Sequence, residues 1–559
     1  MSVISVSSSK RKSAKDSKAQ KLNDIEQYVD QLKSRLKSSE DLLPLTNLTL
    51  TDLQARIRHR HISPSDLLHA FQAKAVQLME KGNSGICEFV REAERQAKEL
   101  TISASFHSDL YGIPISVKEL CCIQGYDATF GLLRRCGKPA EEDCVVVKVL
   151  KKAGAIPFVL TATSQMALTT SGINPVFGNM WNPYSVDREP GGSSNGEAVL
   201  LVQRGSPLGI GTDLAGSIRI PCAFCGLTGL KPTSKRLSNR GIAELFPNSV
   251  VGLTVVAGPM GHRVSDLVKA MRSLLHPLMS QLDPAVPDLP FNETLYKGRD
   301  KARLVIGFYE TLADPKVVQT VPSVRRAVHE AVERLRQHGH DIVRFDPPEP
   351  RKALKLGSKA LAAVGGKAVR KSLSHEPLNE YTKPVKQLLE LPSGFLPLAE
   401  SVIRKKIGEP AVLTEIARGV STVSKLTDLL QQLQDYRKQF EAAWMRPHNI
   451  DVLVCPVWAF PAYKRGLSPF YANPPVIYCF LYNIVDYPAG VVPMGKVNQN
   501  DTQQANKWAE DYKISGDSFH EEVMRSQLGT EGLPLSVQVV GKPLQEELVL
   551  RVLKELESR

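Results

Sequence analysis

The sequence predicts an α/β protein, and three observations support this prediction. Short apolar strands alternate with amphipathic helices, strand patterns occur both early and late in the chain, and a helical stretch at about 350–445 separates the two groups. The 559 residues are 42% hydrophobic and 23% charged, which is typical of a folded globular protein rather than a disordered one. We therefore expect one sheet that contains strands from both ends of the chain.

Residues 1–20 differ in composition from the rest of the chain. They are rich in serine and lysine and poor in large apolar side chains, so ordering them would bury too little surface to offset the lost entropy. We predict a disordered basic tail here, and its lack of an apolar core and cleavage site is not typical of a signal peptide. Residues 21–49 are predicted to be an N-terminal helical segment, and residues 50–559 the main domain.

The main domain begins with helices and continues with alternating elements. Ser63 followed by Pro64 indicates a helix start, because the hydroxyl caps the first turn and proline fits its first position. Apolar runs predict strands at residues 113–117, 156–160, 304–308, 341–345, 451–456 and 535–540. Helical periodicity predicts helices at residues 143–152, 323–337 and 543–557.

The stretch 350–445 is predicted to be a helical insertion, because its leucines and lysines recur at helical spacing. Within it, residues 388–398 are mainly apolar and are interrupted by prolines. No apolar run in the sequence reaches the roughly 18 residues that cross a bilayer, so we expect no transmembrane helix.

Charge and cysteine content narrow the classes of function. The formal net charge of +13 could attract nucleic acid, but no zinc-finger, basic-zipper or aromatic RNA-binding motif accompanies it, so we expect a solvated basic surface and no nucleic-acid partner. Nine cysteines without a secretory leader favour a reducing, intracellular location. Cys222 and Cys225 are interpreted as two buried thiols, because no second pair lies at zinc spacing, and no metal or cofactor is expected.

Residues 189–233 combine many small residues with several reactive ones. A cluster of glycines indicates sharp turns or close approach to a ligand. Ser217 follows small residues whose N–H groups could converge on an oxyanion. A serine nucleophile needs a base, and Lys118, at the end of an apolar strand, could serve if burial kept it neutral. On these local patterns alone, tight turns and a surface lysine remain open as alternatives.

The motifs themselves resemble the amidase-signature family. The resemblance covers Gly191–Pro221 and the Gly-Ile-Pro-x-Ser-x-Lys-Glu context of Lys118. It implies a central mixed, twisted β-sheet surrounded by α-helices with a helical cap, and residues 50–559 as the catalytic domain. Carried over, it implies a catalytic set in which Ser217 is the nucleophile, Ser193 the proton relay and Lys118 the base. It further implies an oxyanion hole formed by the N–H groups of Leu214, Ala215, Gly216 and Ser217, supporting roles for Ser194, Asp213 and Arg219, and an acyl pocket lined by Ala167.

Within that family the chain is most similar to the animal fatty acid amide hydrolases, through GSPLGIGTDLAGSIR, AFCGLTGLKPT and other segments spread from about residue 40 to the end. This similarity implies a lipid amide substrate, a homodimer and peripheral contact with a membrane, such as an endomembrane, through a cap at about 380–412. Two residues depart from the family pattern, Asn195 and Ala215, each at a position usually occupied by glycine. The cap also adds charges at Glu390, Arg404, Lys405 and Lys406, which could face anionic headgroups.

Three alternatives remain open at this point. Gly192-Ser193-Ser194-Asn195-Gly196 satisfies the G-x-S-x-G elbow of esterases and lipases, with Ser194 as nucleophile, although no strand pattern precedes it. The altered loop residues leave open an inactive scaffold that binds a membrane or a protein. The third alternative is an enzyme for short amides or for glutamine.

Overall fold

The protein is described from a computed structural model that covers residues 2–103, 108–245, 251–391, 393–399, 401, 419–420, 422–467 and 474–557. Its strands in chain order are β1 (Ile86–Phe89), β2 (Pro114–Lys118), β3 (Ile156–Thr161), β4 (Ile173–Asn174), β5 (Gly178–Asn179), β6 (Leu208–Asp213), β7 (Thr228–Lys231), β8 (Val256–Gly261), β9 (Val305–Phe308), β10 (Asp341–Arg344), β11 (Val452–Pro456), β12 (Ala489–Lys496) and β13 (Pro534–Gly541).

Eleven of these strands form one sheet in the order β1-β3-β2-β6-β8-β7-β12-β13-β11-β9-β10, and β4 pairs with β5 separately. The sheet is mixed: β3, β2 and β6 are parallel neighbours, as are β11, β9 and β10, whereas β6, β8, β7, β12, β13 and β11 pair antiparallel. Early and late strands therefore share one sheet, which confirms the predicted α/β class and the mixed sheet.

Helices surround the sheet. They are α1 (Ser2–Leu36), α2 (Leu50–Arg58), α3 (Pro64–Glu80), α4 (Ala93–Ser103), α5 (Val145–Lys152), α6 (Asn195–Val202), α7 (Arg219–Phe224), α8 (Val264–Leu274), α9 (Leu278–Leu282), α10 (Glu293–Tyr296), α11 (Pro322–Gln337), α12 (Pro350–Ser372), α13 (Thr382–Glu390), α14 (Val423–Met445), α15 (Ile477–Ile484), α16 (Gln499–Ser515), α17 (Ser518–Arg525) and α18 (Glu546–Leu556). The predicted start of α3 is confirmed, because Ser63 and Asp66 form a capping box in front of Pro64.

The structure contradicts the predicted disorder of residues 1–20, because α1 runs from Ser2 to Leu36 as one helix. The reason is long-range contact that composition does not report. Lys18 donates to the Pro175 carbonyl at 2.7 Å, and Lys21 forms ion pairs with both Glu88 and Asp127. Further along, Ile25, Val29 and Leu32 are buried in the main core.

The described part of the insertion at 350–445 is mainly helical, with α12 and α13 joined by turns at residues 373–381 and with α14 after them. Leu388 and Leu396 are buried, whereas Phe395 and Leu398 are 60% and 64% exposed. The predicted cap charges Arg404, Lys405 and Lys406 lie outside the described residues. Among the helices that the structure does describe, none combines the length and the apolar character needed to cross a membrane.

Candidate active site

Two neighbouring parallel strands end at the same edge of the sheet and bring the predicted lysine and the nucleophile loop together. Lys118 is the last residue of β2, and Asp213 is the last residue of β6. The two strands pair in register, with Ser116 opposite Gly209. Because parallel strands end at a common edge, the loop that follows β6 and contains Ser217 begins beside Lys118.

Lys118 is completely buried and lies between two serines. Its Nζ is 2.9 Å from Ser193 Oγ and 3.0 Å from Ser194 Oγ. Burial lowers the pKa of the Lys118 amine from its ordinary value to about 7, although the acidic groups Asp213, Glu119 and Glu197 oppose the shift. A large fraction of this amine is therefore neutral at physiological pH, which is the state a base requires. The surface lysine considered from local sequence is excluded.

The three serines occupy two adjoining loops. Ser193 and Ser194 are buried, and Ser194 is the residue before α6. The Ser194 N–H donates to the Ser217 carbonyl at 3.1 Å, so the backbones of the two loops are in direct contact. Ser217 itself is half-buried. Within the described residues, no side-chain hydrogen bond joins Ser193 to Ser217, so the chain of side-chain contacts runs from Lys118 to the first two serines only.

Asp213 and Arg219 form a buried ion pair that holds the nucleophile loop. Both side chains are inaccessible to solvent, and Arg219 donates to the two Asp213 oxygens at 3.0 Å each. Burial alone would raise the pKa of Asp213, but the Arg219 charge and its hydrogen bonds hold that pKa well below its usual range. Asn483 from α15 donates to the same carboxylate. These contacts fix the backbone that leads to Ser217, and the supporting role of both residues stays a prediction.

The backbone N–H groups of the nucleophile loop do not all point into the site. Gly216, one of the four predicted oxyanion donors, donates its N–H to Asp213 Oδ1 at 2.8 Å, so this group already has an acceptor within the loop. Within the described residues, the N–H groups of Leu214, Ala215 and Ser217 have no protein acceptor. Glycine is required at 216 for another reason: its φ is +113°, and a Cβ would lie 2.7 Å from Cys479.

The two departures from the family pattern are accommodated. Ala215 lies outside the left-handed region of backbone space, so its position does not require glycine. Asn195 is buried in the first turn of α6 and donates to the Ser171 carbonyl at 2.9 Å, while its Oδ1 has no partner. Neither residue has the positive φ that would require glycine at its position.

Two buried carboxyls beside Lys118 were not anticipated from the sequence. Glu197 accepts from Ser116 and Thr161 at 2.6 and 2.7 Å, and burial raises its pKa to about 7. Glu119 accepts from the Thr129 N–H and hydroxyl, each at 2.7 Å. The sequence did contain a signal for Glu197, because this residue directly precedes the apolar run Ala198–Leu201. A carboxyl buried with such a run is costly unless it has hydrogen-bond partners.

Ala167 lies at the boundary between the sheet and the insertion. Its backbone is left-handed, with φ of +56°, and its side chain packs against an apolar cluster. We name this the cap cluster; it consists of Leu120, Phe130, Leu132, Met166, Val369, Leu373, Val385, Leu388, Leu389 and Leu396. Leu120 is two residues from Lys118, so the cap cluster extends from the neighbourhood of Lys118 into the insertion.

Cys222 and Cys225 are both buried and free, as predicted. In the part of the chain that the structure describes, no group of three or more His, Cys, Asp or Glu side chains is arranged to hold a metal ion.

Comparison with known proteins identifies the family. A family model described as Amidase matches residues 66–550. The chain belongs to the amidase-signature family. Among curated relatives, the chain is 36% identical over 516 residues to a fatty-acid amide hydrolase 1 of Sus scrofa, covering 92% of this chain and 86% of the relative. It is 32% identical over 521 residues to a fatty acid amide hydrolase 1 of Caenorhabditis elegans, covering 91% of this chain and 88% of that relative.

A solved structure of a fatty acid amide hydrolase has the same fold, with a TM-score of 0.75 at 23% identity over 98% of this chain and 94% of that one. This member of the amidase-signature family is therefore an enzyme that hydrolyses amides, with relatives of the fatty acid amide hydrolase type.

Proposed function

We propose that the chain hydrolyses long-chain fatty acid amides, such as N-acylethanolamines and primary fatty amides, with Ser217, Ser193 and Lys118 as its catalytic set. The observation that carries this proposal is the buried Lys118 amine, with its lowered pKa, 2.9 Å from Ser193 beside the Ser217 loop. The likeness to the two curated fatty acid amide hydrolases supports the same assignment.

In the proposed mechanism, neutral Lys118 accepts the proton of Ser193 while Ser193 accepts that of Ser217. The Ser217 oxygen attacks the amide carbonyl, and the same relay then protonates the leaving nitrogen, because an amine anion is a very poor leaving group. Water hydrolyses the acyl-enzyme and releases the acid. The hydrogen bond between Ser193 and Ser217 forms in this scheme when the substrate is bound, as catalytic hydrogen bonds often do.

The developing oxyanion would be held by three backbone donors rather than four. The N–H groups of Leu214, Ala215 and Ser217 lack an acceptor in the described part of the protein, and such groups stabilise negative charge without reorganising. Gly216 instead fixes the loop by its bond to Asp213.

The lipid character of the substrate is supported by the cap cluster. It begins two residues from Lys118, includes Ala167 at its edge and continues into the insertion, whose Phe395 and Leu398 are exposed. A hydrocarbon chain lying along this cluster would gain about 0.8 kcal/mol per buried CH₂. The expected homodimer rests on the family resemblance alone.

A panel of amides of increasing acyl length tests this assignment. We expect kcat/KM to rise from acetamide to long-chain N-acylethanolamines by about 10³-fold or more, because each added pair of methylenes contributes to transition-state binding. The purified Ser217→Ala variant is the inactive control. A preference for acetamide would favour the short-amide alternative, and no turnover of any member would favour the inactive scaffold.

Two exposed side chains of the insertion are expected to contact a membrane. Replacing Phe395 and Leu398 together by serine should weaken binding to anionic phospholipid vesicles by about 10²-fold, because each side chain contributes roughly 1.5–3 kcal/mol when buried. Co-sedimentation with vesicles measures this. Ile514→Ser, which removes an even more exposed apolar side chain from α16, is the control and should leave vesicle binding unchanged. Equal loss in both variants would contradict a membrane role for the insertion.

A further inference from the structure

A cavity lies at the edge of the sheet opposite the serines. It has a volume of about 470 Å³ and is lined by residues from several elements, including Arg204, His262, Arg263 and Lys496. A smaller cavity of about 190 Å³ shares Arg204, His262 and Arg263. Arg204 precedes β6 and His262 follows β8, whereas Ser217 follows the far end of β6, roughly 17 Å away along the strand.

Positive charge is concentrated at this cavity. Neither Arg204 nor Arg263 forms an ion pair within the described residues. Burial and the charges of Arg204 and Arg263 together lower the pKa of His262 to about 3, so the two guanidinium groups act on the same imidazole. Lys496 adds a third cation, with its Nζ 5.6 Å from the centre of the Tyr184 ring. Like charges that share one wall repel each other unless an anion lies between them.

Two carboxyls also lie at this wall, Glu557 in the larger cavity and Asp266 in the smaller one, and the Oδ1 of Asp266 has no hydrogen-bond partner within the described residues. Glu557 accepts the Val264 N–H at 2.7 Å and pairs with Lys554. Asp266 accepts the backbone N–H groups of His262 and Arg263 at 3.2 and 2.9 Å, and burial raises its pKa to about 6. Asp266 attracts both Arg204 and Arg263 electrostatically, but it forms no ion pair with either within the described residues.

A buried polar atom lies at the same wall. His262 lines both cavities, and no hydrogen bond of good geometry reaches its Nε2 within the described residues. Such an atom is available to a water molecule, an ion or a ligand that enters the cavity. The remaining wall is apolar and aromatic, and is formed by Tyr184, Val202, Val492, Pro493 and Pro534.

We propose that this cavity binds a small organic phosphate, with the phosphate between Arg204 and Arg263 and the organic group against Tyr184 and Val492. Planar guanidinium groups bind phosphate oxygens in pairs, and a dianion neutralises two of them. The volume exceeds that of a phosphate alone, so the apolar wall selects a phosphate monoester over the free ion.

The position of the cavity connects it to the catalytic loops. Helix α6 begins beside Ser193 and ends at Val202, and α7 begins two residues after Ser217 and ends just before Cys225; Val202 and Cys225 both line the cavity. A ligand there would contact the C-terminal ends of the two helices that carry the serines at their N-terminal ends. An effect on turnover rests on the proposed function, whereas binding itself does not.

Isothermal titration of the full-length protein with phenyl phosphate and with inorganic phosphate tests the site. We expect one saturable site, tighter for phenyl phosphate, and binding that is about tenfold or more weaker in Arg204→Gln and in Arg263→Gln. Arg299→Gln removes the same charge from an exposed position outside the cavity and should bind as the wild type does. Thermal unfolding without phosphate confirms that each variant is folded.

Absence of saturable heat at millimolar phenyl phosphate would overturn the proposal, as would equal weakening in Arg299→Gln. Amide hydrolysis with and without phenyl phosphate measures the connection to the serines. If phenyl phosphate changes the rate of the wild type but not that of Arg204→Gln, the cavity is connected to the serines. If phenyl phosphate binds but leaves turnover unchanged, the binding site stands and the connection to the serines does not. Failure of the proposed function would appear as absence of amide hydrolysis when no phosphate is added, so it can be distinguished from failure of the phosphate site.

Discussion

Ser217→Ala is expected to reduce the hydrolysis of a long-chain fatty acid amide by roughly 10⁴- to 10⁶-fold, because removing the nucleophile of a catalytic set leaves only binding and oxyanion stabilisation. Ser217 is half-buried at the end of a loop fixed by the Asp213–Arg219 pair, so alanine should fit without altering the backbone. Steady-state turnover of an N-acylethanolamine measures the loss, and a fluorophosphonate should label wild-type Ser217 and nothing in the variant.

The site of labelling also separates Ser217 from its neighbour. Ser194 is fully buried, and its hydroxyl lies 3.0 Å from Lys118 and 3.3 Å from the Thr212 carbonyl. No strand leads into it, since residues 189–193 before α6 are irregular. Labelling of Ser194 would contradict the assignment and revive the esterase alternative. Ser515→Ala, an exposed serine at the end of α16, is the control for unspecific effects of the substitution.

Turnover is expected to rise with pH through about 7 and then reach a plateau, because Lys118 must lose its proton to act as a base. Its pKa is lowered by burial to about 7, so below that value the amine is charged and the relay is blocked. Lys118→Met should abolish this dependence and reduce kcat by about 10²- to 10⁴-fold, the usual contribution of a general base. The pH profile of kcat for both proteins is the measurement.

Lys118→Met should lower activity but raise the stability of the folded protein. Between pH 7 and 10.5 the unfolded chain binds a proton at Lys118 that the folded chain does not, so the free energy of unfolding rises with pH across this interval. The folded state is therefore destabilised at and below pH 7, and Lys118→Met, which cannot be charged, should unfold at a higher temperature there. Thermal denaturation at several pH values tests the sign.

Lys231 provides the matched control for these two effects. It is also fully buried in the sheet, burial lowers its pKa to about 8, and its Nζ donates to the Pro232 carbonyl at 2.9 Å rather than to a serine. Lys231→Met should therefore share the gain in stability while keeping far more activity. Equal loss of activity in both variants, or a wild-type rate that is flat across neutral pH, would contradict the role of Lys118.

Strands with β-branched and apolar runs were predictable, and glycine-rich ones were not. Residues 113–117 and 156–160 were predicted as strands and lie within one residue of β2 and β3. By contrast, β6 reads Leu-Gly-Ile-Gly-Thr-Asp and β8 contains two glycines and a proline, so neither has the local preference of a strand. Their pairing with neighbours in the middle of the sheet overrides that preference.

The sequence alone determined which reactive side chains are available to the site. The motifs around Lys118, Ser193 and Ser217 were sufficient to indicate the family, the reaction class and the residues to examine. Each motif consists of residues that are close together in the sequence, so residue type and spacing are sufficient to recognise it.

Tertiary structure decided the surroundings of each of these groups. It buries Lys118 and so lowers its pKa, gives that lysine two serine neighbours, and assigns the Gly216 N–H to Asp213. It also orders α1, which composition predicted to be disordered. Each of these properties depends on residues distant in sequence, because burial and hydrogen bonding are set by the neighbours that the folded sheet brings together.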